Sequence, residues 1–164
     1  MGCAVFDFAW KSTFLLALML FLPFIDRLWS LPKYRSYQYQ FLLWSMLIAV
    51  ILVIFLFNPV ELNFILYTIL LVALPEEWFF RAYYLQRLEK ECKNKLVANI
   101  YTSFLFAIMH FPLQGIFGLA VFIPSIFIGW VFQKHRDLVL VILIHVLMNL
   151  IYIVFIKNIL EGVI

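Results

Sequence analysis

The sequence predicts an all-α, polytopic integral membrane protein of about six transmembrane helices, and three observations carry that expectation. Hydrophobic residues make up 66% of the chain and charged residues 13%, against roughly half and a quarter in a soluble globular domain. The apolar residues gather into six runs, 8–25, 41–57, 62–85, 96–111, 116–132 and 138–156, and a span needs about 20 residues. The basic residues collect in alternate connections between those runs.

The first run has an uninterrupted apolar core, 14–25, that is short for a span and also compatible with a signal peptide; no A-x-A-like site follows it, so it is read as a retained helix. The second run stops at Asn58-Pro59 and the fourth at Pro112-Leu-Gln-Gly115, both turn chemistry that makes sequential helices antiparallel neighbours. Pro124 lies inside the fifth run and predicts a kink there. Arg27, Lys33 and Arg35 follow the first run, Arg87, Lys90, Lys93 and Lys95 the third, and Lys134 and Arg136 the fifth. The positive-inside rule makes those three connections cytoplasmic and puts both termini on the non-cytoplasmic side, since Lys11 and Lys157 are too few to reverse it. Residues 1–164 read as one membrane-embedded domain.

Several function classes drop out. The net charge of +3 comes from short loops with no basic stripe, so no nucleic-acid partner is expected. Cys3 and Cys92 fall on opposite sides of the bilayer, which excludes a disulfide between them. Met1-Gly2-Cys3 resembles a myristoylation start, but Phe6 stands where that motif wants Ser or Thr. Gly-rich phosphate loops, H-E-x-x-H zinc helices and G-x-S-x-G elbows do not occur. His135, beside Lys134 and Arg136, reads as a solvated basic turn. Trp29, Trp44, Trp78, Tyr83, Tyr84 and Trp130 read as interfacial anchors or packing residues.

The third run contains Glu76, Glu77 and Arg81, three ionisable residues in an otherwise greasy segment. A charge at the bilayer centre costs about 2.5 kcal/mol or more on insertion scales, so such groups are candidates for function by default. Residues four apart share a helix face, so Glu77 can pair with Arg81, whereas Glu76 points about 100° away from Glu77. Arg81 then holds one carboxylate ionised and leaves the other to face a cavity as a base. His110 ends the fourth run one turn after Phe106, and His145 and Asn149 share one face of the sixth. An imidazole and a carboxamide on one rigid wall can hold a water or an oxyanion. At about 1.5 Å rise per residue, Glu76 lies about 13 Å and His145 about 11 Å from the cytoplasmic ends of their runs. His110 comes to about 21 Å from Leu96, or about 15 Å if Lys95 and Asn99 sit in the interface.

The ordered set Glu76-Glu77-x-x-x-Arg81, Phe106-x-x-x-His110 and His145-x-x-x-Asn149, spanning 74–149, resembles the type II CAAX prenyl endopeptidase family, also called the CPBP or Abi family of glutamate-type intramembrane proteases. The resemblance implies that Glu76 activates water and His110 helps to position it. It implies that His145 and Asn149 form the oxyanion side, and that Glu77 and Arg81 support the site. The reaction would be direct attack of water on a peptide carbonyl near a hydrophobic or lipidated C-terminal tail. Ala82 stands where many members have glycine after the arginine, and the chain lacks the additional helices of larger prenyl proteases. Small bacterial relatives are associated with sorting tails, peptide precursors or bacteriocin immunity. The expected partners are a membrane-associated peptide or protein substrate and the lipid bilayer, in a bacterial cytoplasmic membrane. No cofactor or metal is expected. Two other readings of the same residues are a binding or bacteriocin-immunity protein without proteolysis, and a zinc site built from Glu76, His110 and His145.

Overall fold

A computed structural model describes residues 2–27, 29–31, 33, 36–58 and 60–157, so the expectations resting on Met1, Arg35 and Pro59 lie outside the described residues. These residues form helices and connecting turns, with no strand among them. Helix α1 spans Gly2–Ile25 and α2 Gln40–Phe57. Helix α3 runs unbroken over Leu62–Cys92, α4 over Lys95–Gln114 and α5 over Gly115–His135. Helix α6 begins with Leu138–Ile151 and continues as a π-helical stretch, Tyr152–Lys157. Each of the six apolar runs lies inside one of these helices.

Four of them, α2, α3, α5 and α6, are long and apolar enough to cross a membrane. The described apolar part of α1, Thr13–Ile25, is shorter. Helix α4 is more polar because one face carries Asn99, Thr102 and Ser103, all buried. Their hydrogen bonds are closed within the protein: Thr102 donates to the Ala98 carbonyl, Ser103 to Asn99 Oδ1, and Asn99 Nδ2 to the Ile126 carbonyl on α5. Asn99 is therefore packed against α5. The approach requires Gly129, since a Cβ there would overlap Asn99 Oδ1.

Helix α3 is the centre of the molecule because it contributes to all three buried clusters. Ala82 and Leu85 pack with residues of α4, α5 and α6. Ile65 and Ala73 pack with Ile51 of α2 and Val146 and Leu150 of α6. Phe79 and Phe80 pack with Met19 of α1 and Phe106 of α4. A helix so enclosed can carry charges that a lipid-facing one cannot. Helix α2 is the opposite case, with Phe41, Leu42, Met46, Leu52 and Leu56 turned outward.

The tight turns reuse one device. Lys93 and Arg136 both adopt left-handed backbone, and each is followed by an N-cap, Asn94 for α4 and Asp137 for α6, whose side chain accepts from the next helix's amides. Asp137 also accepts from Tyr37 and from Trp44 Nε1, tying the approach to α2 onto the start of α6. Arg136 donates to Glu89 and so clamps the α5–α6 turn to the end of α3. The His135 ring packs on Tyr37, 4.8 Å between centroids, so its role extends beyond a solvated turn.

Helix α4 continues through Pro112 to Gln114 and turns only at Gly115, whose φ is 61°. Helix α5 opens with a 3-10 stretch, Gly115–Val121, and becomes α-helical at Phe122. Pro124 therefore stands in the first turn after the change from 3-10 to α-helical winding.

Candidate active site

Local sequence makes α3 irregular where it carries its charges. Pro75 has no N–H to offer the preceding turn, and π-helical stretches flank Leu74–Glu77 on both sides, Thr68–Ala73 before it and Trp78–Leu85 after it. The Leu74 amide accordingly donates to the carbonyl of Ile69. Single π-turns inside long helices recur at functional sites because they re-aim side chains.

The expected pairing of Glu77 with Arg81 is present, with Arg81 Nε 3.1 Å from Glu77 Oε2 and both side chains fully buried. Glu77 also accepts from a second helix: His145 Nδ1–H donates to Glu77 Oε1 over 2.7 Å. One carboxylate thus bridges a guanidinium and an imidazole, and neither of its oxygens faces open space. Glu76 differs. Its side chain keeps 19% of its surface exposed, and its Oε2 has no hydrogen-bond partner among the described residues. His145 Nε2 lies 3.7 Å from that oxygen, beyond direct hydrogen bonding but within reach of a bridging water.

Both histidines are oriented through Nδ1. His110 Nδ1 lies 2.8 Å from the Phe106 carbonyl, which can only accept, so Nδ1 carries the proton and Nε2 is left free. Gly118 allows α5 to pack directly on the His110 backbone, since a Cβ at that position would come within 2.7 Å of the His110 carbonyl oxygen. That contact fixes the end of α4. Asn149 is half-buried one turn beyond His145, and its carboxamide makes no hydrogen bond among the described residues.

Two residues act here that the sequence reading gave no role. Ser125 on α5 accepts from Arg81 Nη2 through its hydroxyl at 3.0 Å, and its carbonyl accepts the same group at 3.4 Å. A lone polar residue after a proline in an apolar run was the available signal. Phe106 is an aromatic hub, with Arg81 Cζ 5.3 Å from its ring centre and the rings of His110 and His145 at 4.5 and 6.3 Å. An aromatic face over a desolvated guanidinium lowers the cost of burying it. The site therefore joins α3, α4, α5 and α6.

Among the described residues, no group of three His, Cys, Asp or Glu side chains converges as a metal-ion cage. The set instead brings a partly open carboxylate, two imidazoles oriented through Nδ1, and a guanidinium neutralising the second carboxylate. The family model for the type II CAAX prenyl endopeptidase Rce1-like group matches residues 40–151, which include all these side chains. The chain belongs to that family. No curated protein matches it, and no solved structure does either. As an Rce1-like chain with four membrane-length helices, it is a CAAX-protease-like integral membrane protein. The family match begins at Gln40, so the Rce1-like part comprises α2 to α6, with α1 packed against it through Met19.

Proposed function

We propose that this protein is an intramembrane endopeptidase that hydrolyses a peptide bond near a hydrophobic or lipidated C-terminal tail, using water activated by Glu76. The observation that carries the reading is the asymmetry of the two glutamates. Glu77 is fully buried between Arg81, 3.1 Å away, and His145, 2.7 Å away, whereas Glu76 keeps 19% of its surface exposed and comes no nearer than 3.7 Å to His145. A general base must reach its water and be free to take a proton, and only Glu76 meets both conditions.

In the proposed mechanism, Glu76 removes a proton from water while Nε2 of His110 accepts from the same molecule. The new C–O bond forms at the scissile carbonyl and charge develops on its oxygen. The Asn149 carboxamide is the neutral donor for that oxyanion, and His145 adds a charged one when Nε2 also carries a proton. Collapse breaks the C–N bond, and the proton held by Glu76 passes to the leaving amine. Arg81 and Glu77 do not touch the reacting atoms; they hold His145 and set the field around Glu76.

The arrangement in the bilayer belongs to the same proposal. One domain, 1–164, crosses six times with both termini on the non-cytoplasmic side, in a bacterial cytoplasmic membrane. The exposed apolar faces of α1 and α4 support their inclusion as spans, for example Phe21 and Phe24 on α1 and Tyr101, Phe104 and Ile108 on α4. The reading is tested by comparing membrane proteins of cells making the wild type with those making Glu76→Gln, using mass spectrometry of C-termini. Loss of a hydrophobic tail, or of a short peptide after a lipidated cysteine, is expected in the wild type alone. Identical C-termini in both would contradict it.

A further inference from the structure

Away from the glutamates, on the outer side of the α4–α5 pair, a groove of about 670 Å³ runs between the two helices. That is within the ~300–1,000 Å³ typical of sites for small ligands. Leu96, Ile123, Ile126 and Phe127 give it apolar walls, and Leu96, Ile123 and Phe127 are substantially exposed. Its polar atoms are already used. Asn99 on the floor donates to the Ile126 carbonyl and accepts from Ser103, and Gln133 Nε2 donates to the Lys95 carbonyl at 2.7 Å. An occupant therefore meets hydrocarbon along most of its length.

The charge is confined to one end. Lys95 begins α4 and Lys134 lies in the last turn of α5, and both line the same groove. Lys134 Nζ rests 5.3 Å from the ring centre of the half-exposed Trp130, which also lines it. A tryptophan and lysines at a helix end are the chemistry of the headgroup level of a bilayer. Among the residues lining the groove there is no Asp or Glu to neutralise these two cations. The groove is thus an apolar channel with a doubly positive mouth, complementary to a molecule with a long apolar chain and an anionic head.

We propose that this groove binds an anionic glycerophospholipid, one acyl chain lying along Leu96, Ile123 and Phe127 and the phosphate held by Lys95 and Lys134. Basic pockets between membrane helices recognise anionic headgroups in this way. The site is independent of the glutamate chemistry, because Ser125 faces inward to Arg81 while Phe127 and Trp130 of the same helix face outward. Its occupant would bridge α4 and α5, the helices that carry His110 and Ser125.

The test uses the full-length protein in phosphatidylcholine nanodiscs, with increasing amounts of phosphatidylglycerol or phosphatidylcholine brominated on one acyl chain. The signal is the part of the tryptophan fluorescence that disappears in Trp130→Phe, so that quenching is read at this groove. Two lysines at a headgroup predict that brominated phosphatidylglycerol quenches it at about ten- to thirty-fold lower mole fraction than brominated phosphatidylcholine. The double substitution Lys95→Gln/Lys134→Gln should bring the two lipids together, with the larger loss of quenching falling on phosphatidylglycerol. Equal quenching by both lipids in the wild type overturns the proposal, as does a preference that survives in the double variant.

Discussion

Two buried acidic centres in this molecule are built on opposite rules. Asp137, at the α5–α6 turn, is fully buried, and its oxygens receive the Leu140 amide, the Tyr37 hydroxyl and the Trp44 indole. In the α3 centre, Glu77 is equally enclosed between Arg81 and His145, but Glu76 beside it retains exposed surface and its Oε2 makes no hydrogen bond among the described residues, as Oε2 of the ion-paired Glu77 makes none beyond its contact with Arg81. Burying a polar atom unpaired costs about 1–3 kcal/mol. A centre meant only to hold helices together closes its hydrogen bonds, as Asp137 does. A centre that leaves one open next to two imidazoles has accepted a cost to stability that a reacting water or substrate can relieve.

The comparison can be broken at several points. The largest effect is expected from Glu77→Ala, which strands Arg81 in an apolar interior and should destabilise the fold by about 3–5 kcal/mol with loss of cleavage. Replacing both partners, Glu77→Leu with Arg81→Met, should recover much of the stability, read by thermal unfolding in detergent, but none of the cleavage. If the double variant cleaves normally, the pair has no part in positioning His145. Asp137→Asn should cost about 1–3 kcal/mol in the same assay, because a charged acceptor is lost from three donors. Cleavage per folded molecule should survive it, and a selective loss of turnover would erase the distinction between the two centres. The smallest change is Ser125→Ala. Arg81 keeps the carbonyl of residue 125, so about 1 kcal/mol of stability should go, with a modest fall in kcat and little change in KM.

Much of this was legible in the chain, for identifiable reasons. Apolar runs separated by basic loops report helices directly, since a bilayer leaves the backbone few alternatives, and all six runs lie in helices. The Glu77–Arg81 pair followed from four-residue spacing, and the nearness of Glu76 to His145 agreed with depth counted from the helix ends. What spacing could not give was contact between helices. Glu77 holds His145 as well as Arg81, and Ser125 and Phe106 complete the setting of Arg81, through packing of α5 and α4 that no periodicity encodes. The polar stripe Asn99, Thr102 and Ser103 could have been recognised by its helical spacing as the face that α4 turns toward its neighbour.

The central claim is that Glu76, and not its ion-paired neighbour, activates the water. It is tested most directly by turnover of a tail-bearing peptide by Glu76→Gln in nanodiscs, measured beside its unfolding temperature. The isosteric amide keeps shape and burial but cannot take the proton. An unfolding temperature close to wild type with kcat lower by about 10²–10⁴ is the predicted result. Turnover near the wild-type rate in the folded variant would contradict the account.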